Sequence, residues 1–117
     1  MTKVFLIDDD DIVRSAMEIA LGDCGYEVQT IGSSAAAVAA LEVDQPDVVM
    51  TDMRMPGLDG AGLIRVIREK FPDLPIVAMS GDMAEEDAVS VDVFLHKPFK
   101  MRDARAAIEQ ALKSRAP

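Results

Sequence analysis

Residues 3–11 read KVFLIDDDD, and this stretch decides the fold class. The apolar run from Val4 to Ile7 is continuous and ends in charge, which is typical of a strand buried on both faces. Similar runs lie at Val48 to Met50 and, after Pro75, at Ile76 to Met79. Strands of this type belong to parallel sheets that helices cover on both sides.

Longer stretches between these runs carry apolar residues at helical spacing, around Ile12 to Ala20, Val38 to Leu41 and Leu63 to Phe71. Strand and helix therefore alternate along the chain. This alternation predicts right-handed βαβ units and an α/β fold in which a doubly wound parallel sheet has helices on both faces.

The predicted elements follow from these patterns and from the flanking turn residues. The predicted strands are Lys3–Ile7, Glu27–Ile31, Asp47–Thr51, Pro75–Met79 and Asp92–Leu95. The predicted helices are Asp11–Cys24, Ser34–Val43, Asp59–Phe71, a short one near Ala84–Val89, and Met101–Ser114. Polar residues in the second strand place it at an edge of the sheet. Asp10 or Asp11 is expected to cap the first helix, and Ser33 or Ser34 the second.

The chain has 117 residues and a net charge of −9, from 12 basic and 21 acidic side chains. This length and composition predict one domain over residues 1–117. The acidic balance argues against nucleic acid and anionic membranes as partners and favours a divalent cation. Cys24 is the only cysteine, which excludes an internal disulfide and a cysteine-based zinc site. With no signal or membrane segment in the sequence, we expect a cytoplasmic protein without membrane insertion.

Polar residues follow four of the predicted strands: Asp8 and Asp9, Asp52, Ser80, and Lys97. Because the carboxyl ends of parallel strands share one edge of the sheet, these side chains are expected to converge there. Clustered carboxylates repel, so at least one pKa rises unless a cation joins them. Oxygen ligands favour Mg²⁺. A carboxylate in such a site, beside an ammonium and a hydroxyl, can attack a phosphoryl group and form an acyl phosphate.

Four motifs carry a resemblance to a known family: LIDDDD at residues 6–11, VVMTDMRMPGLDG at 48–60, AMSG at 78–81 and HKPF at 96–99. In this order and at this spacing they resemble the receiver domain of response regulators, the CheY-like fold. The resemblance covers essentially the whole chain. It implies a flavodoxin-like strand order of 2-1-3-4-5 and a cis peptide bond between Lys97 and Pro98.

The resemblance also implies roles for individual residues. Asp52 resembles the phosphoacceptor, Ser80 the family's hydroxyl and Lys97 its lysine. The implied Mg²⁺ ligands are Asp8, Asp9, Asp52 and the main-chain carbonyl of Arg54. Ser80 and Phe94 resemble the switch residues, although an aromatic residue in a strand is more often part of the core.

By resemblance, a histidine kinase or histidine phosphotransfer protein donates a phosphoryl group to Asp52, and the change alters binding to an unidentified downstream protein. Such a domain is no turnover enzyme and has at most slow autophosphorylation and autodephosphorylation. The chain ends soon after its last predicted helix, so we expect a single-domain regulator or a piece of a longer one. The interval from Ser80 to Lys97 is shorter than in the family, which predicts a short or irregular fourth helix.

Two alternatives remain open. A Mg²⁺-dependent phosphatase of the haloacid-dehalogenase type also uses an aspartate nucleophile on an α/β sheet, but its DxDxT signature is not matched by DMRMP at residues 52–56. An interaction module that is not phosphorylated is disfavoured because every chemical position is filled. Finally, Arg54 and Asp82 are candidates for an ion pair across the mouth of the site, or for two unconnected surface side chains.

Overall fold

The computed structural model describes residues 1–54, 60–81 and 90–115. Its strands are β1 Lys3–Ile7, β2 Glu27–Ile31, β3 Val48–Asp52, β4 Ile76–Ser80 and β5 Val93–His96. Its described helices are α1 Asp11–Asp23, α2 Ser34–Val43, α3 Gly60–Lys70 and α4 Met101–Ser114. From β1 to β4, strands and helices alternate as the apolar patterning predicts.

The five strands form one parallel sheet in the order β2-β1-β3-β4-β5. The doubly wound architecture and the 2-1-3-4-5 order are therefore confirmed, and β2 lies at an edge as expected. All strands run the same way, so their carboxyl ends share one edge of the sheet, which we call the carboxyl edge.

Helices cover both faces of this sheet. On one face, Val4 and Leu6 of β1 pack with residues of α1 and α4, including Met17 and Ile108. On the other face, the alternate residues Phe5 and Ile7 pack with residues of α2 and α3. Because successive side chains of a strand point to opposite faces, the single apolar run of β1 contributes to the cores on both faces of the sheet.

The helix ends follow the local chemistry of the sequence. Asp10 is the N-cap of α1, and its side chain accepts hydrogen bonds from the main-chain N–H groups of Ile12 and Val13. Ser33 caps α2 in the same way. Gly25 follows α1 with a φ of 94°, a conformation that a side chain disfavours. Within the described ranges, none of the helices is long and apolar enough to cross a membrane.

Several predicted boundaries were wrong by one residue. The strands β3, β4 and β5 each begin and end one residue later than predicted, because the parallel ladder still pairs Asp52 with Met79 and Ser80 with His96. Asp52 and Ser80 are therefore the last residues of their strands and do not follow them. Helices α1 and α3 each end one residue earlier than predicted, and Asp59, the predicted start of α3, lies outside the described residues. The short helix predicted near Ala84–Val89 lies outside the described residues.

Candidate functional site

The register of the sheet brings Asp8 and Asp52 together. Ile7 of β1 pairs with Thr51 of β3, so the next residue of each chain segment lies at the same level of the carboxyl edge. Neighbouring strands are about 4.8 Å apart, so side chains at the same level reach each other. Asp9 follows directly. Carboxylate oxygens of Asp8, Asp9 and Asp52 lie within 4.8 Å of one another.

Asp8 is the buried member of this group, with 1% of its surface exposed. Its Oδ1 accepts a hydrogen bond of 3.0 Å from the main-chain N–H of Asp10. Its Oδ2 is buried and has no hydrogen-bond partner among the described residues. Burial raises the pKa of Asp8, and the neighbouring charge of Asp52 adds to the rise. An orphaned buried oxygen facing two further carboxylates fits a small, hard cation such as Mg²⁺.

Asp52 is held by two donors. Its Oδ2 lies 2.9 Å from the ammonium nitrogen Nζ of Lys97, and its Oδ1 accepts a hydrogen bond of 3.1 Å from the main-chain N–H of Arg54. Asp52 is 8% exposed, yet it lines an open cleft of about 370 Å³ together with Arg54, Gly81 and Lys97. Its carboxylate is therefore both oriented and accessible from solvent.

Lys97 approaches Asp52 along the carboxyl edge from the β5 side, whereas Asp8 approaches it from the β1 side. It follows β5, and its main-chain N–H donates to the carbonyl oxygen of Ser80 at 2.9 Å. The peptide bond between Lys97 and Pro98 is cis, which confirms the expectation. Beside it, an apolar groove of about 460 Å³ is lined by Lys97, Pro98 and Phe99 together with Val13 and Met17 of α1.

The remaining predicted residues occupy distinct environments. Ser80 ends β4 and is 1% exposed. Phe94 is half-buried and packs against the core beneath α2 and α3. His96, the last residue of β5, is exposed. Asp82, the candidate partner of Arg54, lies outside the described residues, so neither interpretation of this pair is tested.

Two residues at the site were not identified from the sequence. Gly60 begins α3 directly against Asp52: a Cβ there would lie 2.3 Å from the Asp52 carbonyl oxygen. Arg14 donates from Nη1 to the carbonyl oxygen of Asp8 at 2.7 Å. The signal for Arg14 was available, since it is the first basic residue after four consecutive aspartates. Gly60 gave no comparable signal, because its close contact depends on how α3 meets β3.

Comparisons with known proteins agree with this geometry. A family model for the response regulator receiver domain matches residues 4–109. The DNA-binding transcriptional regulator NtrC of Escherichia coli K12 is 35% identical in an alignment of 114 residues that covers 93% of this chain and 24% of NtrC. The regulator DctD of Rhizobium meliloti, named for C4-dicarboxylate transport, is 44% identical over 79 residues, 68% of this chain and 17% of DctD. The chain thus spans about a quarter or less of these relatives.

Solved structures show the same fold. A putative response regulator from Chloroflexus aurantiacus superposes with a TM-score of 0.90 at 28% identity, covering 96% of this chain and 98% of that one. The chemotaxis protein CheY4 of Vibrio cholerae gives 0.87 at 26% identity, covering 95% and 98%. The haloacid-dehalogenase alternative finds no support in these comparisons. The family model, the relatives and the shared fold together establish that this chain belongs to the receiver domains of two-component response regulators.

Proposed function

We propose that Asp52 accepts a phosphoryl group from the phosphohistidine of a histidine kinase or histidine phosphotransfer protein. The observation that carries this proposal is the ion pair of 2.9 Å between Asp52 Oδ2 and Lys97 Nζ, beside the buried Asp8. An accessible carboxylate held by a cation, with a second and third carboxylate at hand, is an arrangement suited to phosphoryl transfer.

In the proposed reaction an Asp52 carboxylate oxygen attacks the phosphorus, and the bond from phosphorus to the histidine nitrogen breaks. The imidazole nitrogen keeps the electron pair, and the product on this chain is an acyl phosphate. Lys97 stabilises the charge that the phosphoryl oxygens carry during transfer. The Ser80 hydroxyl is proposed to donate a hydrogen bond to one of these oxygens.

Mg²⁺ fits the donor set at the carboxyl edge. Asp8, Asp9 and Asp52 would hold it, together with the main-chain carbonyl of Arg54 in the proposed ligand set. The bound cation supplies positive charge that offsets the repulsion between these carboxylates and the incoming phosphoryl group. Asp8 and Asp9 act only as ligands, whereas Asp52 is both ligand and nucleophile.

The proposed output is a change in partner binding. Ser80 and Phe94 are the proposed switch residues: Ser80 moves toward the phosphoryl group, and Phe94 moves inward as it does. We propose that residues 1–117 form one receiver unit that accepts and slowly loses a phosphoryl group, without multiple turnover of a small substrate. A cytoplasmic, reducing compartment suits this reaction and the single thiol of Cys24.

We place the phosphodonor protein on the apolar groove beside Lys97. The groove shares Lys97 with the cleft that exposes Asp52, so a protein seated there lies next to the nucleophile. Val13 in this groove and its sequence neighbour Ile12 are exposed by 36% and 83%, so large apolar side chains at the start of α1 are open to a partner. Val13→Ser is expected to slow transfer from a phosphorylated donor protein and leave labelling by acetyl phosphate unchanged. Equal slowing of both reactions would contradict docking in the groove.

Labelling with acetyl phosphate and Mg²⁺, followed by intact-protein mass measurement, tests the proposed reaction. The chain is expected to gain one phosphoryl group, and removal of Mg²⁺ with a chelator should prevent the gain. Asp52→Asn keeps the shape of the side chain but not the nucleophile, so it should gain nothing. Asp73→Asn, at an exposed acid outside the site, is the matched control and should label normally. A phosphoryl group on the Asp52→Asn variant would refute the assignment.

A further inference from the structure

Arg14 bridges the end of β1 and the first turn of α1. Its Nη1 donates to the Asp8 carbonyl oxygen at 2.7 Å, and its Nη2 pairs with the Asp11 carboxylate. The guanidinium is largely covered, with 20% of its side chain exposed against 85% for that of Asp11. A planar guanidinium has donors that can face both acceptors at once, which an ammonium cannot do with the same geometry.

The bridge closes a network that fixes the backbone around the carboxylates. The N–H of Asp8 donates to the Ile31 carbonyl of β2, and the N–H of Asp10 donates to Asp8 Oδ1. Asp10 in turn caps α1. Arg14 adds the contact to the Asp8 carbonyl, at the point where the chain leaves the sheet. The segment that carries Asp8 and Asp9 is therefore tied to β2 at one end and to α1 at the other.

Gly32 makes room for the guanidinium. A Cβ at this position would lie 3.1 Å from Nη1 of Arg14 and 3.4 Å from its Cζ. The first of these distances is shorter than ordinary van der Waals contact, so a methyl group at position 32 would require the guanidinium to shift by a few tenths of an ångström from its position at the Asp8 carbonyl. Gly32, which directly follows β2, thus leaves space for the Arg14 guanidinium.

The charge of Arg14 and its hydrogen bonds have opposite effects on a cation site. A positive charge repels a nearby cation, so charge alone predicts that removing Arg14 strengthens Mg²⁺ binding. The hydrogen bonds fix the main chain of one ligand residue next to a second, and loss of such support weakens metal binding. The two effects can therefore be separated by the sign of the change in affinity.

We propose that Arg14 is a positioning residue of the phosphoacceptor site: it holds the main chain at Asp8 so that the Asp8 and Asp9 carboxylates converge with that of Asp52. This inference rests on the proposed function, because the converging carboxylates matter as Mg²⁺ ligands. Arg14 itself contacts neither the nucleophile nor the metal in this scheme. Its contribution passes through the backbone of the segment between β1 and α1.

The test measures the Mg²⁺ dissociation constant of the full chain by calorimetry, without any phosphodonor. Arg14→Met is expected to weaken binding by about tenfold, the low end of the range for residues that orient metal ligands. Arg14→Lys keeps the charge but not the fork of donors, and Gly32→Ala displaces the guanidinium without removing it. Both are expected to weaken binding by smaller factors. Arg102→Met, at an exposed position of α4, is the control and should bind Mg²⁺ like the wild type.

Amide hydrogen exchange in the absence of metal gives a second measurement. The Asp10 N–H, which donates to Asp8 Oδ1, should lose protection in Arg14→Met while the amides of β3 and β4 keep theirs. If Arg14→Met does not fold, Arg14→Lys and Gly32→Ala carry both measurements. If the folded Arg14 variants bind Mg²⁺ as tightly as the wild type or more tightly, the positioning role is overturned and the proposed metal site is not. A wild-type chain that binds no Mg²⁺ would overturn the proposed metal site, and the positioning role with it.

Discussion

At the scale of single residues, Gly60 sets how closely α3 approaches the nucleophile. The space that a Cβ would need is filled by main chain, with the Asp52 carbonyl oxygen at 2.3 Å and the Met53 Cα at 2.5 Å. The Gly60 N–H also donates to the Met53 carbonyl at 3.1 Å. Main-chain atoms at the end of a central strand cannot move aside as a flexible side chain does. A larger residue must therefore displace the start of α3 or the end of β3.

Gly60→Ala is expected to destabilise the fold by about 1–3 kcal/mol, the range for overpacking a tight contact. The matched control is Gly22→Ala in α1, where a Cβ meets nothing within 4 Å. Because alanine restricts the unfolded chain and favours a helix, the control should stabilise by about 0.4–1 kcal/mol. Urea unfolding of both variants measures these changes. Two substitutions that shift stability in the same direction would contradict the close contact at Gly60.

Tyr26 is the only tyrosine, and the chain has no tryptophan, so its ionisation can be followed by ultraviolet absorbance without interference. Burial and a hydrogen bond of 2.8 Å to Glu109 Oε1 raise the pKa of Tyr26 to about 12. In the unfolded chain the phenol ionises near its ordinary pKa of 10.0. The folded state therefore binds the proton more tightly, and stability falls as pH rises between these two values.

Glu109→Gln is expected to lower the pKa of Tyr26 and to leave it above the ordinary value, because burial, the larger cause, remains. Absorbance titration of the folded protein measures the shift. Glu69→Gln, at an exposed position of α3, should leave the titration unchanged. A Tyr26 pKa near 10.0 in the folded wild type would show that its hydroxyl is not held by Glu109.

At the scale of the elements, Asp92 joins three of them at the edge opposite to the site. Its Oδ2 accepts from Arg68 Nη2 of α3 at 2.7 Å and from the Ile76 N–H of β4 at 2.8 Å. Its Oδ1 accepts from Arg115 Nε, just beyond α4, at 2.7 Å. Burial opposes the charge of Asp92, but the hydrogen bonds from Ile76, Arg115 and Arg68 outweigh it and lower the pKa.

Asp92→Asn is expected to destabilise the chain by about 2–3 kcal/mol at neutral pH, since it leaves two partly buried guanidinium groups without their anion. The Asp92 pKa is lower in the folded state, so its stabilising effect is complete above the ordinary value of 3.8. That effect is lost as pH falls through the folded pKa. Denaturant unfolding at several pH values, with Asp73→Asn as control, measures the difference. If the difference in stability between the wild type and Asp92→Asn grows as pH falls, the lowered pKa of Asp92 is contradicted.

The sequence predicted the strands and helices better than it predicted the contacts between them. The central strands each contain a continuous apolar run, and the polar residues that interrupt β2 correctly predicted an edge. Asp52 and Ser80 were expected to follow their strands, because a polar residue after an apolar run resembles a strand end; the ladder in fact continues through them. The Asp92 contacts were not predicted, since its partners Arg68 and Arg115 are 24 and 23 residues away and only the tertiary structure brings them together.

At the scale of the whole molecule, the net charge of −9 means that every cation stabilises the fold to some degree by screening repulsion. Three carboxylates at the carboxyl edge add a specific effect to this general one. Asp8 is the informative member, because burial raises its pKa and the folded state holds its charge unfavourably. Removing that charge should therefore change stability in opposite directions with and without Mg²⁺.

Asp8→Asn is expected to raise the free energy of unfolding at neutral pH in metal-free buffer, since it removes a buried carboxylate whose Oδ2 accepts no hydrogen bond from the residues that the structure describes. With Mg²⁺ at about 100 times the wild-type dissociation constant, the wild type should gain about 2.7 kcal/mol from binding. The variant should gain much less, because it has lost a ligand. Urea unfolding of both proteins in both buffers gives the four free energies of unfolding. NaCl at matched ionic strength separates screening from binding, and should stabilise both proteins equally. If Mg²⁺ raises the free energy of unfolding more than NaCl does, and by the same amount in both proteins, the stabilisation does not involve Asp8 and the metal lies elsewhere.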